Sequence, residues 1–600
     1  MTTPTPYSVD TSLVSFSIKV EGKEIDTTFQ VYSINTWVGV NKIPKAQILI
    51  YDGSPSEQTF EISNLSTFLP GKKLEIAAGY NTGKLTPIFK GVIVKQGIEI
   101  TQTQGSKLIV DVTDEAIKMT LDRKNALFEK IKDSDLIGKL ITSNGLAKDV
   151  AATTTVYEEI VQYYATDWDL MLMRAELNSM VAIVDGGKVT VKKPDTQQSP
   201  VLKVEYGDTI LDLQAEMNAA TQYKSSVIKS FTWDVDTQKL IESGPGSVSV
   251  QEPGNVSSDE LAKVFDVKKY TQQTGGPVEK SSLQDWSSAE MLKSKLSKIR
   301  GHVRFQGSAL VQPGKTIELA GLGNRFNGKA YISGVHHSII NNKWLTSVDF
   351  GLSARWFAAE NPDISAPDAS GQLPPIKGLQ TGIVKKVAQD PGGEFRVLVN
   401  LPILQDASKG VWARLATFYA SNKVGAVFYP EVNDEVVVAF MNEDPRYPVI
   451  VGSLYSKKMA PPYAPDEKNQ KKAIVTKSKL EITFDEQNKI IEIKTPGKHS
   501  IKLDDKAGSI TIADSNRNSV VLSKSGINLE SASNINIKAK GNISLDATGN
   551  LSLSAKANAT MEGLQVAHKA KAKFSANGTA SAEITSSGIL TVRGTLVKIN

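Results

Sequence analysis

A repeat of eight residues near the C-terminal end constrains this chain of 600 residues more than any other feature of its sequence. From Gly526 the sequence divides into the blocks GINLESAS, NINIKAKG, NISLDATG and NLSLSAKA. The second and fourth residues of each block are apolar, and this alternation predicts a short strand with one buried face. Asn and Gly recur at the block boundaries, where a turn needs residues that tolerate positive φ. The side chains predicted to be buried are Ile527, Leu529, Ile535, Ile537, Ile543, Leu545, Leu551 and Leu553.

A strand with only two inward side chains cannot bury its apolar face alone, so neighbouring strands must cover it. Three chains that each supply one side of a triangular prism complete a turn with about 24 residues, and their inward side chains then meet on a threefold axis. Every strand in such a prism pairs with another chain, which leaves no long edge open. The repeat therefore predicts an intertwined trimeric β-helix, with a single-chain solenoid or an adhesin stalk as the alternatives.

Two aperiodic segments divide the chain and are predicted to be linkers. Residues 358–377 are rich in Pro, Ala and Ser, and residues 457–472 are rich in Pro and Lys. They separate a hub region of residues 1–357, a middle domain of residues 378–456 and a spike segment of residues 473–600. In the hub region, alternating apolar residues over 1–120 predict a β-rich domain. Helices are predicted to begin near Asp133 and after Thr166.

The middle domain contains five short apolar runs in about 80 residues, which predict a small closed barrel of the OB type. Its aromatic residues are of the kind that stack on bases or sugars. They lie in strand-like runs without a basic stripe, so packing in a core or an interface is the favoured interpretation. These residues are Trp412, Phe418, Tyr419, Phe428 and Tyr429.

Residues 410–455 carry a dense motif: W-A-R, then P-E-x-x-D-E-V-x-V-x-F, then D-P-x-x-P-V-x-x-G. In this motif the stretch resembles the spike barrel of contractile phage tails and of the VgrG proteins of type VI secretion. We interpret the motif residues as structural, because prolines fix loop geometry and the acidic pair caps a turn. They are Trp412, Arg414, Pro430, Glu431, Asp434, Glu435, Asp444, Pro445 and Gly452.

The resemblance extends over nearly the whole chain, and it implies a mainly β architecture. The parts are two tube-like β-barrel hub domains with short helices, the OB-fold barrel and the intertwined prism. The implied protein is a homotrimer that seats on a hexameric inner tube protein among baseplate proteins. It would puncture the target envelope on sheath contraction, carry a PAAR-like tip protein and separately encoded effectors, and meet the target membrane only transiently. The expected contact with the tip protein is Val597, Lys598, Ile599 and Asn600.

The sequence predicts no catalytic, metal-binding or cofactor-binding site, and hence no enzyme. The chain has no cysteine, which excludes disulfides and thiolate chemistry. His336 and His337 are adjacent in a predicted strand, so they point to opposite faces and cannot form a metal pair. The sequence contains no G-x-S-x-G, H-E-x-x-H, Walker-loop or dinucleotide-binding motif. A trimeric tail fibre or adhesin and a cell-wall hydrolase are the alternative functions.

The balance of charge and the N-terminal sequence bear on partners and location. The net charge of +5 combines 69 basic and 64 acidic residues, which is too balanced to predict nucleic acid as a partner. No signal peptide and no run of 18 apolar residues is visible. We therefore expect a protein made in the cytoplasm, assembled into the injection particle, and exported or delivered to the target cell.

Overall fold

The computed structural model of the chain describes residues 3–7, 13–81, 84–406 and 408–599. Strands account for 38% and helices for 14% of the structure, which confirms the mainly β fold class. The chain divides into two compact units, Met1–Leu454 and Tyr455–Asn600. This boundary falls two residues before the second predicted linker.

Many short strands and a few helices make up the hub region. The strands are β1 (Val14–Val20), β2 (Lys23–Glu24), β3 (Val31–Gly39), β4 (Lys45–Tyr51), β5 (Lys73–Tyr80), β6 (Thr86–Thr101), β7 (Gly105–Thr113), β8 (Arg123–Lys132), β9 (Ala147–Val150), β10 (Val156–Thr166), β11 (Val181–Asp185), β12 (Lys188–Lys192), β13 (Leu202–Glu205), β14 (Ile210–Met217), β15 (Ile228–Asp234), β16 (Lys239–Glu242), β17 (Tyr270–Thr274), β18 (Ile299–Gln306), β19 (Thr316–Ala320), β20 (Gly328–Ile340) and β21 (Lys343–Phe350). The helices are α1 (Glu61–Asn64), α2 (Asp133–Ser143), α3 (Asp167–Leu177), α4 (Ser258–Phe265), α5 (Lys280–Leu296), α6 (Gly323–Phe326) and α7 (Phe357–Glu360).

One 13-stranded sheet forms the framework of the hub, in the order β14-β18-β21-β20-β3-β4-β7-β6-β5-β1-β2. Off this path, β19 pairs with β20, and β13 pairs with β19. The two halves of the sheet pack on separate apolar cores, one around Ile48 and Val110 and the other around Phe305 and Val348. The antiparallel pairing of β3 with β20 joins them. The two hub barrels predicted from the sequence are therefore represented by two halves of one continuous sheet.

The helices α2 and α3 pack with β8 to β12 on a third apolar core. Both begin where the sequence predicts, at Asp133 and Asp167. The Thr166 hydroxyl accepts a hydrogen bond of 3.0 Å from the backbone N–H of Asp169, which satisfies one of the free donors at the start of α3. This contact confirms the predicted helix cap.

Gly307 lies against the indole of Trp344, which is buried where the two halves of the sheet meet. A Cβ atom on Gly307 would stand 2.1 Å from Trp344 Cδ2. Because a packed core resists added volume, we expect Gly307→Ala to lower the free energy of unfolding by about 1–3 kcal/mol. Gly97→Ala is the matched control, since the nearest atom to its Cβ would be Ile109 Cβ at 4.0 Å. Equal denaturation midpoints for the two variants would contradict the prediction.

The OB-fold barrel predicted for the middle domain is confirmed. Its strands close in the order β22-β23-β24-β28-β27 around a core of aliphatic side chains and Phe440. A short hairpin, β25 with β26, stands outside the barrel. The strands of this domain are β22 (Gln380–Lys386), β23 (Val397–Asn400), β24 (Val411–Leu415), β25 (Ala420–Ser421), β26 (Val424–Gly425), β27 (Glu435–Phe440) and β28 (Pro448–Ser453).

The second unit begins with an antiparallel meander of seven strands, each paired with the next along the chain. Its first strand starts at Lys471, so the ordered sheet takes in the last two residues of the predicted linker. The strands are β29 (Lys471–Val475), β30 (Glu481–Asp485), β31 (Ile490–Lys494), β32 (Ser500–Asp504), β33 (Ser509–Ala513), β34 (Ser519–Ser523) and β35 (Gly526–Glu530).

Candidate trimerisation surface

Two rows of apolar side chains run across one face of the meander. Within each row, consecutive residues are direct cross-strand partners, and the two rows lie two residues apart along each strand, so they share a face. The first row is Ile474, Ile482, Ile493, Ile501, Ile512, Val520 and Leu529. The second row is Phe484, Ile491, Leu503, Ile510, Leu522 and Ile527. We call these two sets the apolar rows.

The apolar rows are open to solvent in the single chain. Eleven of the thirteen side chains are exposed, from 37% for Leu522 to 76% for Ile527. Complete burial of one such side chain stabilises a fold or a complex by about 1.5–3 kcal/mol. A contiguous apolar surface of this extent is typical of a protein–protein interface.

The opposite face of the meander is mostly polar, although it includes Val475, Ile490 and Val521, and it carries its own ion pairs. Lys502 Nζ lies 2.7 Å from Asp504 Oδ2, and Lys494 Nζ lies 2.6 Å from Glu492 Oε2. Hydrogen bonding to Asp504 raises the pKa of Lys502, and the same contact lowers the pKa of the Asp504 carboxyl. The polar face is therefore complete within one chain, and the apolar face is the one that needs a partner.

Beyond the meander, residues 531–599, here called the shaft segment, are extended and assigned to no strand. The chain bends at intervals of about eight residues, and no backbone–backbone hydrogen bond is found within this described segment. The bends fall at residues 532–533, 540–541, 548–549, 556–557, 564, 571–572, 579–580, 587–588 and 595–596. Backbone N–H and C=O groups of a stable fold need partners, so in a folded shaft other chains must supply them.

The structure places the predicted buried residues in two different settings. Ile527 and Leu529 lie in β35 and belong to the apolar rows. The other six lie in the shaft segment, each at least 49% exposed, and the single chain does not bring them into a core. They are Ile535, Ile537, Ile543, Leu545, Leu551 and Leu553.

Sequence reasoning missed two parts of this surface. The eight-residue bends continue to residues 595–596, well beyond the four blocks read from the sequence. At the inward positions of the later blocks, Ala, Met or Phe often replaces Ile and Leu, so the apolar alternation is weaker there and does not reveal the repeat. The rows between Ile474 and Leu522 were also missed, although the alternation in runs such as IEI, IKL and ITI was visible.

The residues expected to contact a tip protein lie at the end of the shaft segment. Val597 and Ile599 are exposed, at 48% and 91%, and Lys598 is exposed as well. Asn600 lies outside the residues that the structure describes.

The acidic residues of the OB motif organise two turns. Asp434 Oδ2 accepts a hydrogen bond of 2.8 Å from the backbone N–H of Glu431, and Glu435 then opens the buried strand β27. Asp444 is almost fully buried and accepts hydrogen bonds from the guanidinium and the backbone N–H of Arg446. These hydrogen bonds hold the pKa of Asp444 below its usual value.

The remaining motif residues surround the same barrel. Pro430 is buried, Trp412 and Pro445 are half-buried, and Arg414 and Gly452 are exposed. The sequence predicts that Phe418, Tyr419 and Phe428 pack in a core or an interface. The prediction of a core position is wrong for these three residues. They stand outside the barrel and are more than half exposed, Phe418 to 88%. Their side chains therefore remain available for an interface.

His336 and His337 face opposite sides of β20, as predicted. His336 stacks on Trp37 with the ring centroids 5.0 Å apart. His337 is buried, where its Nδ1 accepts a hydrogen bond from Trp344 Nε1 and lies 2.9 Å from Thr346 Oγ1. Among the described residues, no group of three or more His, Asp or Glu side chains is arranged to hold a metal ion.

Burial, with a smaller contribution from the neighbouring His336, lowers the pKa of His337 to about 3. An unfolded histidine takes up a proton near pH 6.5. The unfolded chain therefore binds more protons than the folded chain between about pH 6.5 and 3, and this drives unfolding as the pH falls. We expect hub stability to fall through this window by up to about 1.4 kcal/mol per pH unit from this residue alone.

The unfolding temperature, measured at a series of pH values, tests this expectation. A His337→Gln variant should show a flatter profile between about pH 6.5 and 3 than the unmodified chain. The exposed His499 provides the control, and His499→Gln should leave the profile unchanged. Parallel profiles for the unmodified chain and the His337→Gln variant would refute the assignment.

Three sequence families match the chain, one at the hub region, one at the barrel and one in the second unit. Residues 380–455 match the family described as the type VI secretion system/phage-baseplate injector OB domain. Residues 490–566 match the phage baseplate V C-terminal trimerisation domain, which covers strands β31 to β35 and the first blocks of the shaft segment. A barrel followed by this trimerisation domain defines the class of VgrG-type, phage-baseplate-like spike proteins.

Residues 10–341, more than half of the chain, match the Alg8 N-terminal domain, and the protein belongs to this family.

Two individual relatives match the chain over shorter stretches. The type VI secretion system spike protein VgrG1b of Pseudomonas aeruginosa is 25% identical over 179 residues, which are 28% of this chain and 23% of that protein. VgrG3 of Vibrio cholerae is 40% identical over 60 residues, 10% of this chain and 6% of that protein. The matched stretches thus span less than a quarter of either relative. A 43 kDa tail protein of prophage MuSo2 from Shewanella oneidensis is 9% identical, with a TM-score of 0.42 over 57% of this chain and 98% of that one.

No helix among the described residues is both long enough and apolar enough to cross a bilayer.

Proposed function

We propose that this protein is the homotrimeric spike of a contractile injection system and that its role is mechanical. The observation that carries the proposal is the combination of the exposed apolar rows with a shaft segment in whose described residues no backbone–backbone hydrogen bond is found. Three chains wound about one axis would cover the rows and pair the shaft strands with each other. The match of residues 490–566 to a trimerisation domain supports the same arrangement.

The trimer would carry force well, because its strands interlock around the axis. A load along the axis then acts on many paired strands at once, and the lifetime of a protein under force depends on its unfolding rate. The hub would seat on the hexameric inner tube protein within the baseplate. Sheath contraction would drive the shaft through the target envelope, with no chemical step performed by this chain.

The further partners of the spike follow from the same proposal. A PAAR-like tip protein would bind the shaft at Val597, Lys598, Ile599 and Asn600. Effectors would be separate polypeptides carried on the spike. The chain would be made in the cytoplasm, assembled in the particle and delivered outside the cell.

Retention of inner tube rings by the immobilised full-length trimer tests the proposed role. We expect the trimer to retain purified hexameric tube protein and to bind intact target cells weakly or not at all. Binding to cells without binding to tube rings would contradict the proposal and favour a receptor-binding fibre. Clearing of a peptidoglycan suspension by the purified chain would favour a cell-wall hydrolase instead.

A further inference from the structure

The net charge of the protein is concentrated in the shaft segment. Residues 531–599 contain eight basic and three acidic residues and so carry +5, which equals the net charge of the whole chain. The other residues are therefore neutral in sum. In a trimer the shaft would carry three times this charge on a narrow rod. The balanced total charge of the chain conceals this asymmetry.

Three of the eight basic residues lie around a single bend. Lys569 precedes the bend at residues 571–572, Lys571 lies in it, and Lys573 follows it. Phe574 stands at the same distance after this bend as Ile535 does after the bend at 532–533, so it occupies an inward position of the repeat. Because side chains alternate between the two faces of an extended chain, Lys573, next to Phe574, points outward. Lys569 lies on the other side of the bend and follows His568, which stands as far after the bend at 564 as Ile537 does after the bend at 532–533, so Lys569 points outward too.

The three lysines are exposed, and none forms an ion pair within the part of the chain that the structure describes. Threefold symmetry repeats the cluster at all three corners of the prism at one level along the axis. The result is a ring of nine ammonium groups, here called the lysine belt: Lys569, Lys571 and Lys573 of each chain.

We propose that the lysine belt binds the headgroup phosphates of anionic lipids when the spike meets a bilayer. The lysine belt encircles the shaft, so it suits a partner that surrounds the shaft, as a bilayer would. A protein docked on one side of the shaft would contact only part of the belt. Clusters of basic residues are attracted to anionic leaflets, and the attraction increases with each lysine that reaches the surface. The inference rests on the trimeric shaft of the proposed function and adds the chemistry of the surface that it meets.

Co-sedimentation of the full-length protein with lipid vesicles tests the proposal. The vesicles contain phosphatidylcholine alone, or phosphatidylcholine with about one third phosphatidylglycerol. In about 0.1 M NaCl we expect binding to the anionic vesicles only, and we expect about 1 M NaCl to abolish it, because the screening length falls to about 3 Å. The variant Lys569→Gln, Lys571→Gln, Lys573→Gln should bind at least about tenfold more weakly.

The matched control removes the same number of charges elsewhere. Lys457, Lys458 and Lys468 are exposed residues of the second linker, and replacing all three with glutamine should leave vesicle binding within about twofold of the unmodified chain. Equal loss of binding in both triple variants would overturn the lysine belt, because net charge alone would then explain the result. Unchanged binding of the belt variant would overturn it too.

Two further outcomes separate this inference from the proposed function. The native mass of each sample is measured beside the vesicle assay. If the protein is a trimer but does not bind anionic vesicles, or binds duplex DNA instead, the lipid proposal is overturned. The proposal of a trimeric spike is not affected by this outcome. A monomeric unmodified chain overturns both, since neither the prism nor the belt would then exist.

Discussion

Replacing Ile543 with aspartate is expected to abolish the trimer. Ile543 stands at an inward position of the repeat, two residues after the bend at 540–541. In the prism, three copies of this residue meet on the axis, so the substitution would bury three carboxylates without partners. The effective penalty for burying one unpaired ion is several kcal/mol, and like charges at short distance add repulsion. Native mass and resistance to detergent should both report the loss.

The neighbouring residue supplies the control for this substitution. Ser544 has the opposite orientation in the extended chain, so Ser544→Asp adds the same charge on the outer surface. We expect this variant to remain trimeric and resistant to detergent. Retention of the trimer by Ile543→Asp would show that the repeat does not place this residue on the axis.

Replacing Asp133 with alanine is expected to destabilise the hub strongly. The carboxylate of Asp133 is 1% exposed and accepts hydrogen bonds from Arg174 Nε at 2.6 Å and from Asn178 Nδ2 at 2.7 Å. Burial by itself lowers the pKa of Arg174, but the contact with Asp133 raises it overall. Without the carboxylate, the Arg174 guanidinium, whose side chain is 19% exposed, loses its countercharge, and we expect a cost approaching that of a broken buried ion pair, about 3–5 kcal/mol.

Thermal unfolding of the full chain measures this effect through the hub transition. Asp135 lies two residues further along α2 and is exposed, so Asp135→Ala removes an acidic residue from the same first turn. Its loss should cost no more than about 1 kcal/mol, through the interaction of the carboxylate with the helix dipole. Similar unfolding temperatures for the Asp133 and Asp135 variants would contradict the importance of the buried ion pair.

Local patterns predicted the parts of the fold that depend on local rules. The OB barrel followed from five short apolar runs and their turns, and the start of α3 followed from Thr166 as a helix cap. The single hub sheet did not follow, because β3 and β20 are separated by almost the whole hub region and periodicity carries no information on which strands pair. Alternation in the hub predicted strands and left their order open.

The spike segment shows a second limit of sequence patterns. Alternation of apolar residues is the same in a meander that pairs within one chain and in a prism that pairs between chains. Residues 471–530 form strands with partners in the same chain, whereas residues 531–599 do not, and no sharp border between them is visible in the sequence. The total charge did not reveal the lysine belt, because it is a sum over a basic shaft and a remainder of the chain that is neutral in sum.

Light scattering of the purified full-length chain decides whether the spike is a trimer. One chain has a mass of 64.9 kDa, so we expect a single species of about 195 kDa that persists in strong detergent. This mass would mean that the apolar rows and the shaft backbone find their partners in two further copies. A stable species with the mass of one chain would refute the trimeric spike, because the repeat would then have to close on itself.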